Sequence, residues 1–291
     1  MGPASFSAEL LNDGVTLIEY SVESAVLARI EAALEHAAAV LSRFTPGTVE
    51  VEYKAGHDPV TQADRVVDDA LREALLQDGE GWLSEETADD LARLQRQRLW
   101  IVDPLDGTRE FVQGIPEWCV SIGWVHDGEA LAGGILNPAT GETFLGSRSA
   151  GVQRNGVPVQ VSPRKELPGA LVLGSRSEFK RGEWKQFQDG SLVLRPVGSV
   201  AYKLALVAAG LADATWTLVP KHEWDVAAGT ALVQAAGGVV KNLDGSPIVF
   251  NGYKPWLPGL VAAGPNLFPE ISSLLKMPTV QLSARGEGPT F

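Results

Sequence analysis

The sequence predicts a mixed α/β chain, strand-rich in its first half and alternating strand with helix in its second. Three stretches carry that expectation. Leu99 to Val102 is a short apolar run closed by Asp103-Pro104, which reads as a buried strand that stops abruptly, and Arg109-Glu110-Phe111-Val112 then reads as the first turn of a helix. Residues 120–159 hold several short apolar runs joined by tight turns, which implies an antiparallel or mixed sheet. Beyond Pro163 to Pro168, where two prolines and three charges separate apolar segments, strand and helix patterns alternate. That segment is the best candidate boundary. It divides the chain into an N-terminal α+β half (1–162), a C-terminal α/β half (163–276) and a loose tail (277–291).

The elements follow in order. Ser24 to Arg43 reads as a helix with Leu27, Ile30, Leu34 and Leu41 on one face, Ser24 as its N-cap and Pro46-Gly47 as its stop. Val49 to Tyr53 alternates like a strand, and Lys54 to Pro59 reads as a loop. Thr61-Gln62-Ala63-Asp64 resembles a capping box with Asp in place of Glu, ahead of a helix with Val67, Ala70, Leu71, Ala74 and Leu75 at helical spacing. Trp82 to Glu86 is a short apolar segment ending in paired acids, and Leu91 to Arg98 reads as a short helix. Val120 to Val125, Ala130 to Leu136 and Glu142 to Leu145 read as strands, and Asn155-Gly156 signals a hairpin. In the second half, Leu171 to Leu173 and Leu192 to Val197 read as strands, and Ser199 to Ala209 as a helix stopped by Gly210. Trp224 to Ala236 is apolar around most of its circumference and should be buried. Val239-Val240, Ile248 to Phe250 and Leu260 to Ala263 complete the sheet, followed by a helix over Asn266 to Leu275.

Composition narrows the function. A net charge of −12 argues against a nucleic-acid polymer as partner, yet a carboxylate cluster neutralised by cations would itself attract a small phosphorylated substrate. The single cysteine, Cys119, excludes an internal disulfide and reads as a small core residue. No apolar run is long enough to span a membrane and no basic region precedes an apolar one at the N-terminus, so the default is a cytoplasmic protein with no membrane partner. The oligomeric state is open, a homodimer included.

Five acids stand out: Asp64, Glu85, Asp103, Asp106 and Asp225. Asp103 and Asp106 flank a proline-stiffened turn at a strand end, where carboxylates suit a hard divalent cation. Free N–H groups at the following helix start suit a phosphate. Asp225 lies in the first turn of an apolar helix, a costly place for a charge unless it is paired or bound to metal. Two carboxylates about 4 Å apart repel by about 4 kcal/mol at an effective dielectric of about 20, so such a cluster needs cations or must protonate. Ordinary explanations compete. Asp-Pro and Asp-Gly are common loop dipeptides, and the helix macrodipole alone accounts for Asp64.

Taken together, D-P-V-T-Q-A-D (58–64), S-E-E (84–86), D-P-L-D-G-T (103–108) and W-D-V-A-A-G (224–229) resemble the motifs of the inositol monophosphatase superfamily, over roughly residues 24–265. The resemblance implies a layered α/β/α/β/α sandwich of the inositol monophosphatase and fructose-1,6-bisphosphatase type. It implies Glu85, Asp103, the Leu105 carbonyl, Asp106 and Asp225 as ligands of two or three Mg²⁺ ions. It also implies Asp64 and Thr108 as the pair that orients and deprotonates the attacking water, and Gly107 and Thr108 N–H groups as phosphate-binding amides. The Arg109-Glu110-Phe111 ending, Ser175-Arg176-Ser177, and Gly198-Ser199 followed by Lys203 are similar to the 3'(2'),5'-bisphosphate nucleotidase (CysQ-like) branch. On that likeness 3'-phosphoadenosine 5'-phosphate becomes AMP and phosphate, with Arg176, Ser199 and Lys203 as substrate-binding residues and inhibition by Li⁺. Arg176 and Lys203 also read as ordinary surface charges. Leu218 stands where inositol monophosphatases commonly place a hydroxyl-binding acid, and Leu218, Val219 and Pro220 would form an apolar wall for adenine.

The alternatives are an inositol monophosphatase or broad sugar and polyol phosphatase, a haloacid dehalogenase phosphatase, and an inactive metal-binding regulatory protein. The second is disfavoured because proline lies between aspartates three residues apart here, which breaks the D-x-D nucleophile geometry. The last is disfavoured by the intact acid set.

Overall fold

A computed structural model describes residues 17–53 and 59–277. The expected loop over residues 54–58 and the tail over residues 278–291 lie outside the described residues. The first half runs α1 (Leu17–Leu41), β1 (Glu52–Tyr53), β2 (Pro59–Val60), α2 (Gln62–Leu75), β3 (Gly81–Ser84), β4 (Arg98–Asp106), α3 (Thr108–Val112), β5 (Cys119–His126), β6 (Glu129–Asn137), β7 (Glu142–Ser147), β8 (Gly151–Arg154) and β9 (Val157–Val159). The second half adds β10 (Leu171–Ser175), α4 (Arg176–Arg181), β11 (Val193–Val197), α5 (Val200–Ala208), β12 (Ala214–Thr217), β13 (Lys221–His222), α6 (Glu223–Ala235), β14 (Val239–Asn242), β15 (Trp256–Leu257), β16 (Leu260–Ala263) and α7 (Phe268–Leu274).

Strands β3 to β9 form a seven-stranded sheet in chain order, antiparallel except for the parallel β3–β4 pair. Its tight connections are the expected ones. Asp127-Gly128 and Asn155-Gly156 all take positive φ, as two-residue hairpin turns of the primed type require. A second sheet of five strands has the order β11-β10-β12-β16-β14. Helices α1 and α2 cover one face of the larger sheet, where Ile30, Leu34, Val67 and Leu71 meet Trp100, Ile122 and Trp124. Helices α5 and α6 fill the space between the sheets, with Leu204, Ala227 and Leu232 against Ile101 and Val125 on one side and Leu173 and Ala262 on the other. The outer face of the second sheet packs on α7 and on a ring cluster in which Trp184 stacks on Phe179 and Trp216 at 5.0 Å. The result is the α/β/α/β/α layering.

Several local expectations change. Helix α1 begins before Ser24, which is therefore mid-helix and caps nothing. Val49 to Tyr53 shortens to the two residues of β1, and Pro59 belongs to β2. Leu91 to Arg98 yields only a 3₁₀ turn, Ala92–Gln95. Ile248 to Phe250 is not a strand, whereas the sequence shows no alternation over β12 because all four of its residues are buried. Strand β4 does not stop at Asp103 but continues through Pro104 to Asp106 across a break in register. Among the described residues no helix is long and apolar enough to cross a membrane.

Helix α6 lies very close to the larger sheet because β6 presents glycine. A Cβ on Gly133 would stand 2.6 Å from the Ala228 carbonyl oxygen and 2.9 Å from its Cα, both backbone atoms that cannot swing aside. Gly133→Ala should therefore cost about 1–3 kcal/mol, read as a lower urea midpoint with unchanged slope. An unchanged midpoint would show that α6 can lift without penalty.

Candidate active site

Three separate elements deliver the acids to one point. The register of β4 against β5 shifts between Asp103 and Asp106, so the intervening Pro104-Leu105 forms an irregularity that turns both carboxylates to the same side. Asp103 Oδ1 accepts from the Leu105 N–H at 3.0 Å, which fixes that turn. Gly107 then takes φ +101°, and a Cβ there would meet the Glu117 carbonyl oxygen at 3.0 Å, so only glycine allows α3 to start immediately. Strand β3 runs parallel to β4 with Ser84 beside Val102, and the next residue, Glu85, comes near enough to Asp103 for its charge to raise that carboxyl. Asp225 arrives from the start of α6, where its Oδ2 accepts from the His222 N–H at 2.9 Å. One carboxylate oxygen each from Asp103, Asp106 and Asp225 lies within 4.8 Å of the others. Asp106 Oδ2 is anchored by the Ser199 hydroxyl at 2.7 Å and the Ala201 N–H at 2.6 Å, at the start of α5.

The expected capping box at α2 is present and is more than a cap. Asp64 Oδ2 accepts from the Thr61 N–H at 2.8 Å and the Thr61 hydroxyl at 2.6 Å. Its Oδ1 faces Thr108, whose hydroxyl is 3.0 Å away and also lies 3.1 Å from the Leu105 carbonyl. Asp64 thus presents one oxygen to the helix and the other to the site.

Glu85, Asp103, Asp106 and Asp225 share a cleft of about 320 Å³ that Gly107, Thr108, Ser199 and Lys203 also line; Asp64 stands behind Thr108, outside its lining. Burial, reinforced by the charges of Glu85, Asp106 and Asp225, pushes the Asp103 carboxyl well above the usual range. Burial, with the Asp106 charge next, pushes Asp225 up to about 8, against the opposing pull of Lys221. Burial also raises Asp64 in spite of its bonds from Thr61 and Thr108. Lys203, 2% exposed, is held down at about 8 by burial while its Nζ donates to the Ser199 and Val197 carbonyls at 2.6 and 3.3 Å.

Two sequence expectations change on the substrate side. Arg176 does not line the cleft; its guanidinium forks onto Glu117 at 2.6 and 2.8 Å, and Glu117 also accepts from the Gly198 N–H at 2.7 Å. Arg181, five residues further along α4 and paired with Glu183 at 2.6 and 3.2 Å, does line the cleft, together with Lys221 and Glu110. Leu218 packs on the ring cluster of the second sheet, and of the residues 218–220 Val219 lines the cleft. Sequence reading also passed over Asp68, which accepts from the hydroxyls of Ser84 and Thr87 and so grips the chain on both sides of Glu85. Its signal was available: an acid four residues after Asp64, on the same face as Val67 and Leu71, has no reason to be there unless it is bonded.

Clustered carboxylates with raised proton affinity and oxygen-only donors suit a hard divalent cation, so the residues present fit such an ion. A model of the inositol monophosphatase family matches residues 22–274. The chain belongs to this family. It is a metal-dependent phosphoric monoester hydrolase. It is similar to the Nus factor SuhB of Pseudomonas aeruginosa, at 36% identity over 68% of this chain and 77% of that protein. An inositol-1-monophosphatase of Mesorhizobium japonicum is 34% identical over 81% of this chain and 89% of its own. Among solved structures, the extragenic suppressor protein suhB of Bartonella henselae superposes with a TM-score of 0.74 at 30% identity, covering 87% of this chain and 98% of that one.

A carboxyl whose pKa rises on folding favours the folded state below its unfolded pKa, near 4, and that contribution disappears as pH climbs through the folded value, about 8 for Asp225. In excess EDTA the melting temperature should therefore fall between pH 5 and 8.5, and Asp225→Asn should gain on the unaltered chain across the same interval. A melting-temperature difference between the two proteins that does not change with pH would contradict this account.

Proposed function

We propose that this chain is a Mg²⁺-dependent phosphomonoesterase whose substrate carries a second anionic group, and we favour 3'-phosphoadenosine 5'-phosphate, hydrolysed to AMP and phosphate. The observation that carries the reading is that the oxygen cluster of Asp103, Asp106 and Asp225 shares one cleft with Arg181, Lys203 and Lys221. The acids suit the ions at the scissile phosphate, and the cations suit a second phosphate that the ions do not reach.

In this reading Glu85, Asp103, Asp106, Asp225 and the Leu105 carbonyl hold the metal. When bound, divalent ions supply neutralisation of the phosphate charge and a lowered pKa for water. Asp64 and Thr108 position the attacking water and take its proton, a role that the upward-shifted Asp64 carboxyl suits. The Gly107 and Thr108 N–H groups, which open α3 and have no partner within it, hold phosphate oxygens. Ser199 contributes indirectly, by holding Asp106. Arg176 shapes the wall through Glu117, and Arg181 with Lys203 takes the second phosphate. Val219 offers apolar contact to a base.

A second reading, an inositol or other polyol phosphatase, is supported by the similarity to proteins named inositol monophosphatase and by the Glu110 carboxylate in the cleft, an acceptor for substrate hydroxyls.

Two measurements test the proposal. Asp64→Asn and Thr108→Ala should each lower kcat by about 10²-fold or more with KM changed by less than about threefold, because both act on the water rather than on substrate binding. Side-by-side kcat/KM values should favour 3'-phosphoadenosine 5'-phosphate over inositol 1-phosphate by about tenfold, and Arg181→Ala should remove most of that margin. A preference for inositol 1-phosphate would overturn the substrate assignment in favour of the second reading, and full turnover in excess EDTA would overturn both.

A further inference from the structure

Glu85 and Asp225 come from segments that share no sheet. Residues 85–93 follow β3, whereas Asp225 sits in the first turn of α6. A buried guanidinium joins the two. Arg93, 2% exposed, ends the first segment. Its Nη1 donates to Asn251 Oδ1 at 2.8 Å and its Nη2 to the Gly252 carbonyl at 3.0 Å. Asn251 answers by donating from Nδ2 to the Arg93 carbonyl at 3.2 Å. Asp89 closes the near side, accepting from Nε and Nη2 at 3.0 and 2.8 Å.

The same loop grips α6 from its other side. The N–H groups of Asn251 and Gly252 donate to Glu223 Oε2 and Oε1 at 2.8 and 2.9 Å. Glu223 is 2% exposed and is the first residue of α6, two before Asp225. Its own N–H donates to the Pro255 carbonyl at 3.0 Å, and β13 pairs with β15 just beyond. Phe250 N–H bonds the Gly128 carbonyl at 2.9 Å, which fastens the loop to the β5–β6 hairpin of the larger sheet.

We infer that Arg93, Asn251 and Glu223 form a positioning brace that sets the spacing of Glu85 and Asp225 and thereby the affinity of the site for a divalent cation. None of the three lines the cleft, so they touch neither ion nor substrate. Burying a guanidinium and a carboxylate is costly; here Asp89 and the 251–252 loop together offset the first, and the N–H groups of that loop offset the second. Such a network has one arrangement in which every donor and acceptor is satisfied, and it passes that arrangement to both ligand-bearing segments. Asn251 holds its place at φ +67°, a conformation asparagine tolerates better than most residues. The inference rests on the reading of Glu85 and Asp225 as metal ligands.

Mn²⁺ binding to the full, substrate-free chain tests it, followed by calorimetry or electron paramagnetic resonance alongside the melting temperature. Asn251→Gly keeps the positive φ accessible and deletes all three side-chain links, two to Arg93 and one to the Arg96 carbonyl. Arg93→Lys keeps the charge but cannot span Asp89, Asn251 and Gly252 together. Both should raise the Mn²⁺ dissociation constant by about tenfold. Phe187→Leu, in the ring cluster of the second sheet, should lower the melting temperature and leave Mn²⁺ affinity within about twofold. Unchanged affinity in the folded Asn251→Gly protein would overturn the brace, as would equal weakening by Phe187→Leu. Failure of the unaltered chain to bind Mn²⁺ would overturn the ligand reading, and the brace with it.

Discussion

Mutual repulsion among Asp103, Asp106 and Asp225 is the constraint around which the rest of the structure is arranged. Their oxygens lie within 4.8 Å of one another, and burial raises the proton affinity of Asp103 and Asp225. Left to itself, a chain would move such groups apart or protonate them. The fold prevents the first by fixing Asp103 and Asp106 on one rigid strand and Asp225 on a separate helix. A break in register fixes Asp103 and Asp106 at the end of β4, the start of α5 fixes Asp106 from behind through Ser199 and Ala201, and the capped start of α6 fixes Asp225. The free energy of holding the charges together is supplied by the sandwich core and becomes available to whatever cation relieves it.

Three acids around the cleft share that burden. Asp68 holds the chain around Glu85, Glu117 holds Gly198 and Arg176, and Glu223 holds the loop above α6. Each of these acids holds neighbouring chain in place through hydroxyl, guanidinium or backbone N–H donors. The glycines of the larger sheet serve the same end. Gly123 and Gly133 let α6 approach so closely that its first turn reaches the end of β4. A bulkier residue at either position would shift the helix and Asp225 together.

The strongest local signals were legible without coordinates, because each arises from chain neighbours. The Thr61–Asp64 cap, the Asn155-Gly156 hairpin and the buried character of α6 all follow from interactions within a few residues. The D-P-L-D-G-T stretch announced a strand end with two carboxylates. Signals failed where long-range packing decides. Strand β12 has no alternating pattern since both its faces are buried, and Ile248 to Phe250 looks like a strand but finds no partner in the sheet. The end of β4 was misjudged because proline removes a donor without ending a strand that can bulge around it.

By itself, then, the sequence determined the layered α/β class, the candidate acids and, through four motifs in order, the family. Tertiary structure alone decided which groups meet. Arg176 was a reasonable phosphate ligand on paper, yet Glu117, 59 residues away, claims its guanidinium, and Arg181 takes its place in the cleft. Leu218 was read as a wall of the site and instead packs on the second sheet. Arg93 and Asn251, 158 residues apart, gave no sign of each other at all. The physical reason is common to all three: a side chain's reach and charge are encoded locally, but its partner is set by which segments the core brings within about 3 Å, and nothing local in the chain records that distance.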